Sequence, residues 1–233
     1  MKNRIIYVLI GPPAIGKSTW IKNMTDPANT FVVNRDEIVE QVADSIGFTY
    51  DDLYVYPPND AEIGNIDEKY GKVIASPEYI FWSPTVFDKV LQANKSIKNT
   101  FYQKLEDAKN TNKNVVIDLT NLKTNERLDC LDRVGQPGDV RIAVVFKFIN
   151  KEKVIKAVAK KRAEATKRMG KSKTIPDSAF DRMISGYQPP TPEERYDKII
   201  YSDTIPQLKK LTGLKEAKKI IRQIINEKFS ELS

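Results

Sequence analysis

Short apolar runs alternate with amphipathic segments along most of the chain. Runs rich in Val and Ile are typical of buried parallel strands, and apolar residues three or four positions apart are typical of helices. The pattern predicts strands at residues 5–10, 30–33, 115–117, 140–146 and 199–201. It predicts helices at residues 17–24, 36–44, 125–134 and 151–165. Strands that alternate with helices predict an α/β sandwich with a central parallel sheet and helices on both faces.

One segment, residues 48–101, breaks this alternation. It contains eight aromatic residues and four prolines between its ends, and its first half is acidic. We interpret it as a partly helical insertion within a single domain that spans residues 1–233. Two roles are open for it: a small satellite core, or a substrate lobe whose aromatic side chains stack on bases. At the end of the chain, residues 203–233 are a predicted helical segment with an amphipathic basic helix at 215–229.

The composition narrows the class of protein. Hydrophobic residues make up 40% of the 233 residues and charged residues 30%, which is typical of a globular domain. The single cysteine, Cys130, excludes an internal disulfide, and the absence of histidine excludes Ser–His and Cys–His mechanisms. A general base is therefore best sought among Asp, Glu and Lys. The first apolar run, residues 5–10, is too short for a signal peptide or a membrane helix, so we expect a cytoplasmic protein with no membrane partner.

Positive charge is concentrated in one window of the chain. The formal net charge is +7, and residues 147–173 hold eleven basic and two acidic residues, which gives this window a charge of +9. Such a block favours a polyanionic partner: a nucleic acid, the phosphates of a nucleotide, or both. The alternative is a solvated helix face that only keeps the chain soluble.

A phosphate-binding motif follows the first predicted strand. The segment from Gly11 to Ser18 fits G-x-x-x-x-G-K-[ST] without a mismatch and lies between a predicted strand and a predicted helix. The glycines let backbone N–H groups turn toward phosphate oxygens, Lys17 reaches the β- and γ-phosphates, and the Ser18 hydroxyl is a Mg²⁺ ligand. We therefore predict ATP or GTP, with Mg²⁺, as cofactors. The predicted nucleotide-binding residues are Gly11, Pro12, Pro13, Ala14, Ile15, Gly16, Lys17, Ser18 and Thr19.

Two aspartates follow other predicted strands, at the sheet edge where open α/β folds bind ligands. Asp36, directly after Asn34 and Arg35, could accept the proton of an attacking hydroxyl, or it could cap the helix that begins there. Asp118 follows an apolar run that resembles a Walker B strand. We predict that Asp118, with Ser18, organises Mg²⁺.

The residues beside these aspartates complete a predicted acceptor site. Thr120 and Asn121 follow Asp118 almost at once. They could hydrogen-bond an acceptor, or they could close the turn before the next helix. With Arg35 and Asp118, they are the predicted substrate-binding residues.

Two arginines near the end of the basic helix are predicted to take part in catalysis. Arg162 and Arg168 lie in the window of residues 161–174, which we interpret as a lid. An arginine brought over the γ-phosphate would stabilise charge in the transition state of phosphoryl transfer. The alternative is a solvated helix end whose positive charges favour the helix dipole.

Together these motifs resemble the 5′-kinase domain of bacteriophage and mammalian polynucleotide kinases. The matching segments run in order along most of the chain, at residues 11–20, 34–36, 116–121, 161–168, 175–176, 190–194 and 196–200. The resemblance implies a P-loop kinase that transfers the γ-phosphate of ATP to the 5′-OH of RNA or DNA, in nucleic-acid end healing or repair. It also implies that Asp36 is the general base, that Lys17 and Ser18 serve the nucleotide, and that lid arginines lie on or near Arg162 and Arg168.

The chain departs from this family at the acceptor site. Bacteriophage enzymes place an arginine a few residues after the aspartate, where this chain has Ile38, Val39 and Glu40, and a 3′-phosphatase motif is absent. Two other functions stay open. One is a P-loop kinase for a small molecule or a hydroxymethylated DNA base. The other is a non-catalytic RNA-binding module similar to the kinase-like part of heterogeneous nuclear ribonucleoprotein U, against which Asp36 argues because a pure binder needs no general base.

Overall fold

The computed structural model describes residues 4–53, 66–67, 72–76, 79–82, 84–168 and 173–202. Its contacts divide the chain into two compact units. The first contains Met1–Asn34, Lys104–Arg162 and Ile175–Ser233, and the second contains Arg35–Gln103 and Ala163–Thr174. The predicted C-terminal segment, residues 203–233, and positions 169–172 of the predicted lid lie outside the described residues.

The described residues form eight strands and six α-helices. The strands are β1 (Ile5–Ile10), β2 (Thr30–Asn34), β3 (Ile66–Asp67), β4 (Lys72–Ser76), β5 (Tyr79–Trp82), β6 (Asn114–Asp118), β7 (Val140–Phe146) and β8 (Lys198–Ser202). The helices are α1 (Lys17–Met24), α2 (Arg35–Ser45), α3 (Pro84–Asn110), α4 (Thr124–Val134), α5 (Glu152–Arg168) and α6 (Asp177–Ser185).

The central sheet belongs to the first unit. Its five strands follow the order β2-β6-β1-β7-β8, and every neighbouring pair is parallel. β1 lies in the middle with all six residues buried, as expected of a Val- and Ile-rich strand that is covered on both faces. Because the strands run in one direction, the residues that end or follow them, including Asn34, Asp118 and Gly11, lie at one edge of the sheet.

Helices of the first unit cover this sheet and build its core. Trp20 of α1, Ile155 of α5 and Phe180 of α6 pack in one buried cluster with strand residues such as Leu9 and Val144. The predicted α/β fold with a parallel sheet is therefore confirmed, and so are its five strands and four alternating helices, with ends that differ by a few residues. Helix α6 has no counterpart among the predicted elements.

The second unit contains α2, most of α3 and a small antiparallel sheet in the order β3-β4-β5. The segment 48–101 is partly helical, as expected, but its three strands were not predicted, and α3 continues past residue 101 to Asn110. Apolar residues of α2 and α3 pack around Leu53. The buried members of this cluster are Ile38, Val39, Ala43, Leu53, Val90, Ala93 and Ile97. This packing supports the satellite-core role for the part of the segment near residue 53.

A buried arginine lies at the amino-terminal edge of the central sheet and forms hydrogen bonds with several segments there. Arg4, which is 7% exposed, donates from Nε and Nη2 to the two carboxylate oxygens of Asp139, at 3.0 and 2.7 Å. Its guanidinium also donates to the backbone carbonyl oxygens of Ala108, Lys109, Thr111 and Val134. Three of these carbonyls lie in the last turns of α3 and α4, where carbonyl groups have no hydrogen-bond partner within the helix. The Arg4 side chain therefore supplies hydrogen bonds to the ends of two helices.

Candidate functional site

The G-x-x-x-x-G-K-[ST] segment forms a tight loop between β1 and α1. Gly16 has a φ of 112°, in the left-handed region that glycine adopts without strain, and Ala14 has a φ of 62°. A non-glycine residue at positive φ costs free energy and persists only where the surroundings hold it. Local preference therefore accounts for the turn at Gly16, whereas Ala14 depends on its surroundings.

The loop is held against the core at both ends. A Cβ at Gly11 would lie 3.1 Å from both Ile15 Cγ2 and Phe146 Cβ, so glycine allows the backbone to approach the core closely. Ile15 itself is 1% exposed. At the start of α1, Trp20 is fully buried and meets the ring of Tyr7 edge-on, with centroids 5.4 Å apart. These contacts fix the direction in which the loop and the helix N-terminus point.

The first turn of α1 is a site suited to an anion. Gly16, at the N-cap position, offers no side chain to satisfy the N–H groups of the first turn, and that turn contains no acidic residue. Free N–H groups and the helix dipole together favour bound phosphate. Lys17 folds back over the loop, and its Nζ donates to the carbonyl oxygens of Gly11 and Pro12 at 3.0 and 3.1 Å. The loop therefore places a cation beside a helix N-terminus that has no side-chain cap.

Oxygen atoms near this loop fit Mg²⁺ as a cofactor. Asp118 ends β6 beside β1, with its side chain 8% exposed, and Ser18 is exposed in the first turn of α1. Asn34, the last residue of β2, pairs with Asp118 in the sheet and donates from Nδ2 to Asp118 Oδ2 at 3.3 Å. Among the described residues, no cluster of three Asp, Glu, Cys or His can hold a metal by itself. Mg²⁺ needs no such cluster, since it commonly takes one or two protein oxygens and completes its shell with phosphates and water.

Thr120 and Asn121 lie beside the loop. The Thr120 carbonyl accepts the N–H of Gly11 at 2.9 Å. Asn121 is 1% exposed, and its side-chain amide donates to the backbone of Leu9 and Ile117. This placement favours the alternative in which Asn121 closes the turn, whereas direct contact with an acceptor stays a prediction for both residues.

Asp36 belongs to the second unit, where it lies in the first turn of α2. Its Oδ1 accepts from the Tyr50 hydroxyl at 2.9 Å, and its Oδ2 lies 3.1 Å from Lys173 Nζ. Lys173 also reaches Glu40 at 2.9 Å and lies over the ring of Tyr50, 4.4 Å from its centroid. The carboxylate predicted to act as general base is thus held in a defined orientation by a hydroxyl and a cation.

The charge of Lys173 is set by competing effects. Burial alone would lower its pKa, but Asp36 and Glu40 outweigh burial, so the pKa of Lys173 is raised and the ammonium stays charged. The adjacent Thr174 donates its backbone N–H to Asp51 Oδ1 at 2.6 Å. The end of the predicted lid is therefore joined to the segment that contains Tyr50.

The predicted arginines are exposed and lie in different units. Arg162 lies on α5 in the first unit, Arg168 ends α5 in the second unit, and Arg35 begins α2. The P-loop, Asp118, Thr120 and Asn121 share the first unit, so the structure brings these together. Approach of Asp36 and the arginines to the P-loop stays a prediction.

Several residues around the site were not singled out from the sequence. Tyr50 was one aromatic among many, Lys173 one lysine of a basic block, and Asn34 only the neighbour of Arg35. Their partners are 14, 137 and 84 positions away along the chain. Only Asn34 carried a usable signal, since it ends a strand at the ligand-binding edge of the sheet.

The fold and the loop together define the class of protein. A five-stranded parallel sheet, with a P-loop between its central strand and the next helix, is a P-loop α/β protein of kinase-like architecture. The chain belongs to the AAA domain family, whose match covers residues 6–190. The P-loop, Asp36, Asp118 and both predicted lid arginines all fall within the matched residues.

Three solved structures align with most of this chain but share little sequence with it. A protein from Chloroflexus aurantiacus, whose kinase assignment is itself provisional, has a TM-score of 0.52 at 12% identity, with 97% of this chain and 98% of that chain covered. This likeness supports the fold. A gluconokinase from Sinorhizobium meliloti 1021 has a TM-score of 0.43 at 14% identity, covering 95% and 98%. The PezAT toxin–antitoxin system of Streptococcus pneumoniae gives 0.49 at 12%, covering 100% and 89%. The last two scores are too low to support an argument.

A search of curated proteins found no match. Within the described residues, no helix combines the length and the apolar character that crossing a membrane requires.

Proposed function

We propose that the protein is a phosphotransferase that moves the γ-phosphate of a nucleoside triphosphate, ATP or GTP, to a hydroxyl group. The observation that carries this proposal is the loop between β1 and α1. It combines an uncapped helix N-terminus with Lys17 held over the loop by two carbonyl oxygens, which suits the triphosphate of a nucleotide.

The chain's residues take distinct parts in the proposed transfer. An acceptor hydroxyl oxygen forms the new bond to the γ-phosphorus, the bond to the β–γ bridging oxygen breaks, and the nucleoside diphosphate leaves. The hydroxyl proton passes to a carboxylate oxygen of Asp36. Lys17, with Arg162 or Arg168, stabilises the charge that develops on phosphate oxygens. Ser18 and Asp118 would hold Mg²⁺, which supplies charge neutralisation at the phosphates when bound.

A small-molecule hydroxyl is the acceptor class that we place first. The family and the fold support a kinase-like P-loop protein, and none of the compared proteins supports a nucleic-acid acceptor. Ile38 and Val39, at the place where polynucleotide kinases of bacteriophages carry an acceptor-binding arginine, are buried in the core of the second unit. The first turns of α2 therefore present no arginine beyond Arg35.

A 5′-OH of RNA or DNA is the second acceptor class. It rests on the motif resemblance and on the exposed basic residues of α5, which are Lys153, Lys160, Lys161, Arg162, Lys167 and Arg168. Exposed cations along one helix suit a polymer that carries many phosphates. A single small molecule needs far fewer of them.

Transfer of labelled γ-phosphate to a panel of acceptors tests the proposal. The panel contains sugars, sugar acids and free nucleosides, 5′-OH oligoribonucleotides and oligodeoxynucleotides, and hydroxymethylated duplex DNA, each with MgATP and MgGTP. Transfer to small molecules supports the first class, and transfer to oligonucleotides alone would replace it with the second. Salt separates the classes further, because each neutralised phosphate of a single strand adds roughly −0.7 to the slope of log K against log salt. Nucleotide binding with no transfer to any acceptor would overturn the enzyme proposal in favour of a binding module.

A further inference from the structure

The turn after β6 continues the hydrogen bonding of the central sheet beyond its strands. The last register pair between β1 and β6 is Leu9 with Asp118. Two residues further along both segments, Gly11 N–H donates to the Thr120 carbonyl at 2.9 Å. Asn121 Nδ2 donates to the Leu9 carbonyl at 2.8 Å and to the Ile117 carbonyl at 3.2 Å. A side chain therefore joins both strands at the point where the P-loop begins.

Asn121 can reach these carbonyls because of its backbone conformation. Its φ is 50°, in the left-handed region that asparagine tolerates better than most residues. The same conformation leaves its own carbonyl pointing away from the strands, where Arg127 Nη1 donates to it at 3.0 Å. The turn is thus held from both sides: the Asn121 side-chain amide bonds to the sheet, and the Asn121 backbone carbonyl bonds to Arg127 of α4.

Arg127 is a fully satisfied, fully buried guanidinium. It is 0% exposed, and its Nε and Nη2 donate to Glu194 Oε2 and Oε1, both at 2.6 Å. Its remaining N–H groups donate to the carbonyls of Asn121 and Gln188 and to the Thr124 hydroxyl. All five donors of the side chain are used, which restricts Arg127 to one orientation. Because Arg127 is fixed, the Asn121 carbonyl to which it donates is fixed as well.

We propose that Asn121 and Arg127 are positioning residues for the P-loop. They set where β1 ends, and so where the Gly11 and Pro12 carbonyls that hold Lys17 lie. This inference rests on the proposed nucleotide site but not on the identity of the acceptor. We infer that both residues act through Leu9 and Gly11 and not by contact with the nucleotide.

The amino-terminal edge of the sheet supplies the matched control. Arg4 is also buried and also pairs with one carboxylate through two hydrogen bonds, but its carbonyl partners end α3 and α4 and none of them adjoins the P-loop. A change at Arg4 therefore costs stability without moving the loop. A change at Asn121 or Arg127 should alter the loop as well.

The test is the dissociation constant of a non-hydrolysable MgATP analogue for the wild type, Asn121→Gly and Arg4→Met. Glycine accommodates the positive φ and removes the side chain whose amide joins Leu9 to Ile117, so Asn121→Gly should weaken nucleotide binding by up to about 10-fold, the limit set by the net contribution of one to two hydrogen bonds. Arg4→Met should bind like the wild type at a temperature where both variants are folded by circular dichroism. In transfer assays, Asn121→Gly should raise KM for the nucleotide, whereas Arg4→Met should leave that KM unchanged.

A second variant keeps the inference testable if Asn121→Gly does not fold. Arg127→Lys retains a charge beside Glu194 but cannot also reach the Asn121 carbonyl and Thr124, so nucleotide binding should weaken here too. Wild-type affinity in a folded Asn121→Gly or Arg127→Lys protein would overturn the inference, and so would an equal loss of affinity in Arg4→Met. A wild-type protein that does not bind the analogue would instead overturn the proposed function.

Discussion

Two arginines with nearly the same chemistry are buried at opposite edges of the central sheet. Arg4 lies at the amino-terminal edge and Arg127 at the carboxyl-terminal edge. Each donates two hydrogen bonds to one carboxylate, and its other N–H groups donate to backbone carbonyls or a hydroxyl. Their surroundings differ. The carbonyls around Arg4 end two helices, whereas those around Arg127 belong to a turn and a loop at the edge that carries the P-loop.

The difference shows how one sheet separates stability from function. In a parallel sheet every strand delivers its following residue to the same edge, so ligand-binding groups gather there and the other edge is left for packing. Arg4 donates to the unpaired carbonyls at the ends of α3 and α4, which is a purely structural role. Arg127 likewise donates to backbone carbonyls, but these belong to the turn that fixes the start of the proposed phosphate-binding loop.

The largest expected effect is on stability, and it should be similar at both edges. Arg4→Met leaves Asp139 buried without its cation, and Arg127→Met does the same to Glu194, which is 2% exposed. Breaking a buried pair in this way costs about 3–5 kcal/mol. Chemical denaturation of the two variants measures the loss. A loss below about 1 kcal/mol at either edge would show that the buried pair there is dispensable.

The next effect should appear at the carboxyl-terminal edge alone. Lys17→Met removes the cation held over the P-loop, so phosphoryl transfer should fall by about 10²- to 10³-fold, the scale for loss of one group that stabilises transition-state charge. Stability should hardly change, since Lys17 is only partly buried. Steady-state transfer assays check the rate, and Lys22→Met, on the exposed side of the same helix, is the matched control. Unchanged turnover in Lys17→Met would contradict the assignment of the nucleotide site.

A smaller effect should come from pH. Burial, with nearby Asp129 and Glu126, raises the pKa of Cys130 on α4 from 9.0 to about 12. A raised folded-state pKa contributes stability that is complete below pH 9 and is lost as the pH rises toward 12. Between pH 8 and pH 10 the wild type should therefore lose about 1.4 kcal/mol more stability than Cys130→Ala. Denaturation curves at the two pH values measure the difference, and equal losses in the two proteins would show that the thiol does not titrate as described.

The smallest effect should come from an exposed arginine on the same helix as Arg127. Arg133 pairs with Asp129 one turn earlier, at 3.0 Å, with side chains 45% and 51% exposed. Exposed pairs at this spacing contribute about 0.3–0.5 kcal/mol. Arg133→Gln should therefore lower stability by no more than that in a denaturation experiment at low salt. A loss comparable to that of Arg127→Met would mean that burial does not explain the cost at the sheet edges.

The sheet and the P-loop were predictable from the sequence because both depend on local patterns. The short run of β1, rich in Ile and Val, favours a strand covered on both faces, and the motif from Gly11 to Ser18 requires a strand before it and a helix after it. Asp118 could be placed because it directly ends such a run. In these elements short-range pattern and tertiary structure agree.

The second unit was less predictable because its contacts are not local. Tyr50 and Lys173 hold Asp36 from segments far apart in the chain, and no periodicity marks either residue as a partner. The same limit holds in the first unit for the Arg127–Glu194 pair, which spans 67 positions, so no local pattern distinguishes this buried arginine of α4 from an exposed one. The strands β3 to β5 lie in a segment whose prolines and aromatic residues gave no clear alternation.

The central claim, phosphoryl transfer with Asp36 as the general base, has one direct test. It is the rate of labelled γ-phosphate transfer at saturating nucleotide, measured across the acceptor panel for the wild type, Asp36→Asn and the control Glu37→Gln. We expect transfer by the wild type and by Glu37→Gln, and a fall of about 10²-fold or more in Asp36→Asn with nucleotide affinity unchanged. Transfer by Asp36→Asn at the wild-type rate, or no transfer by the wild type to any acceptor, would contradict it.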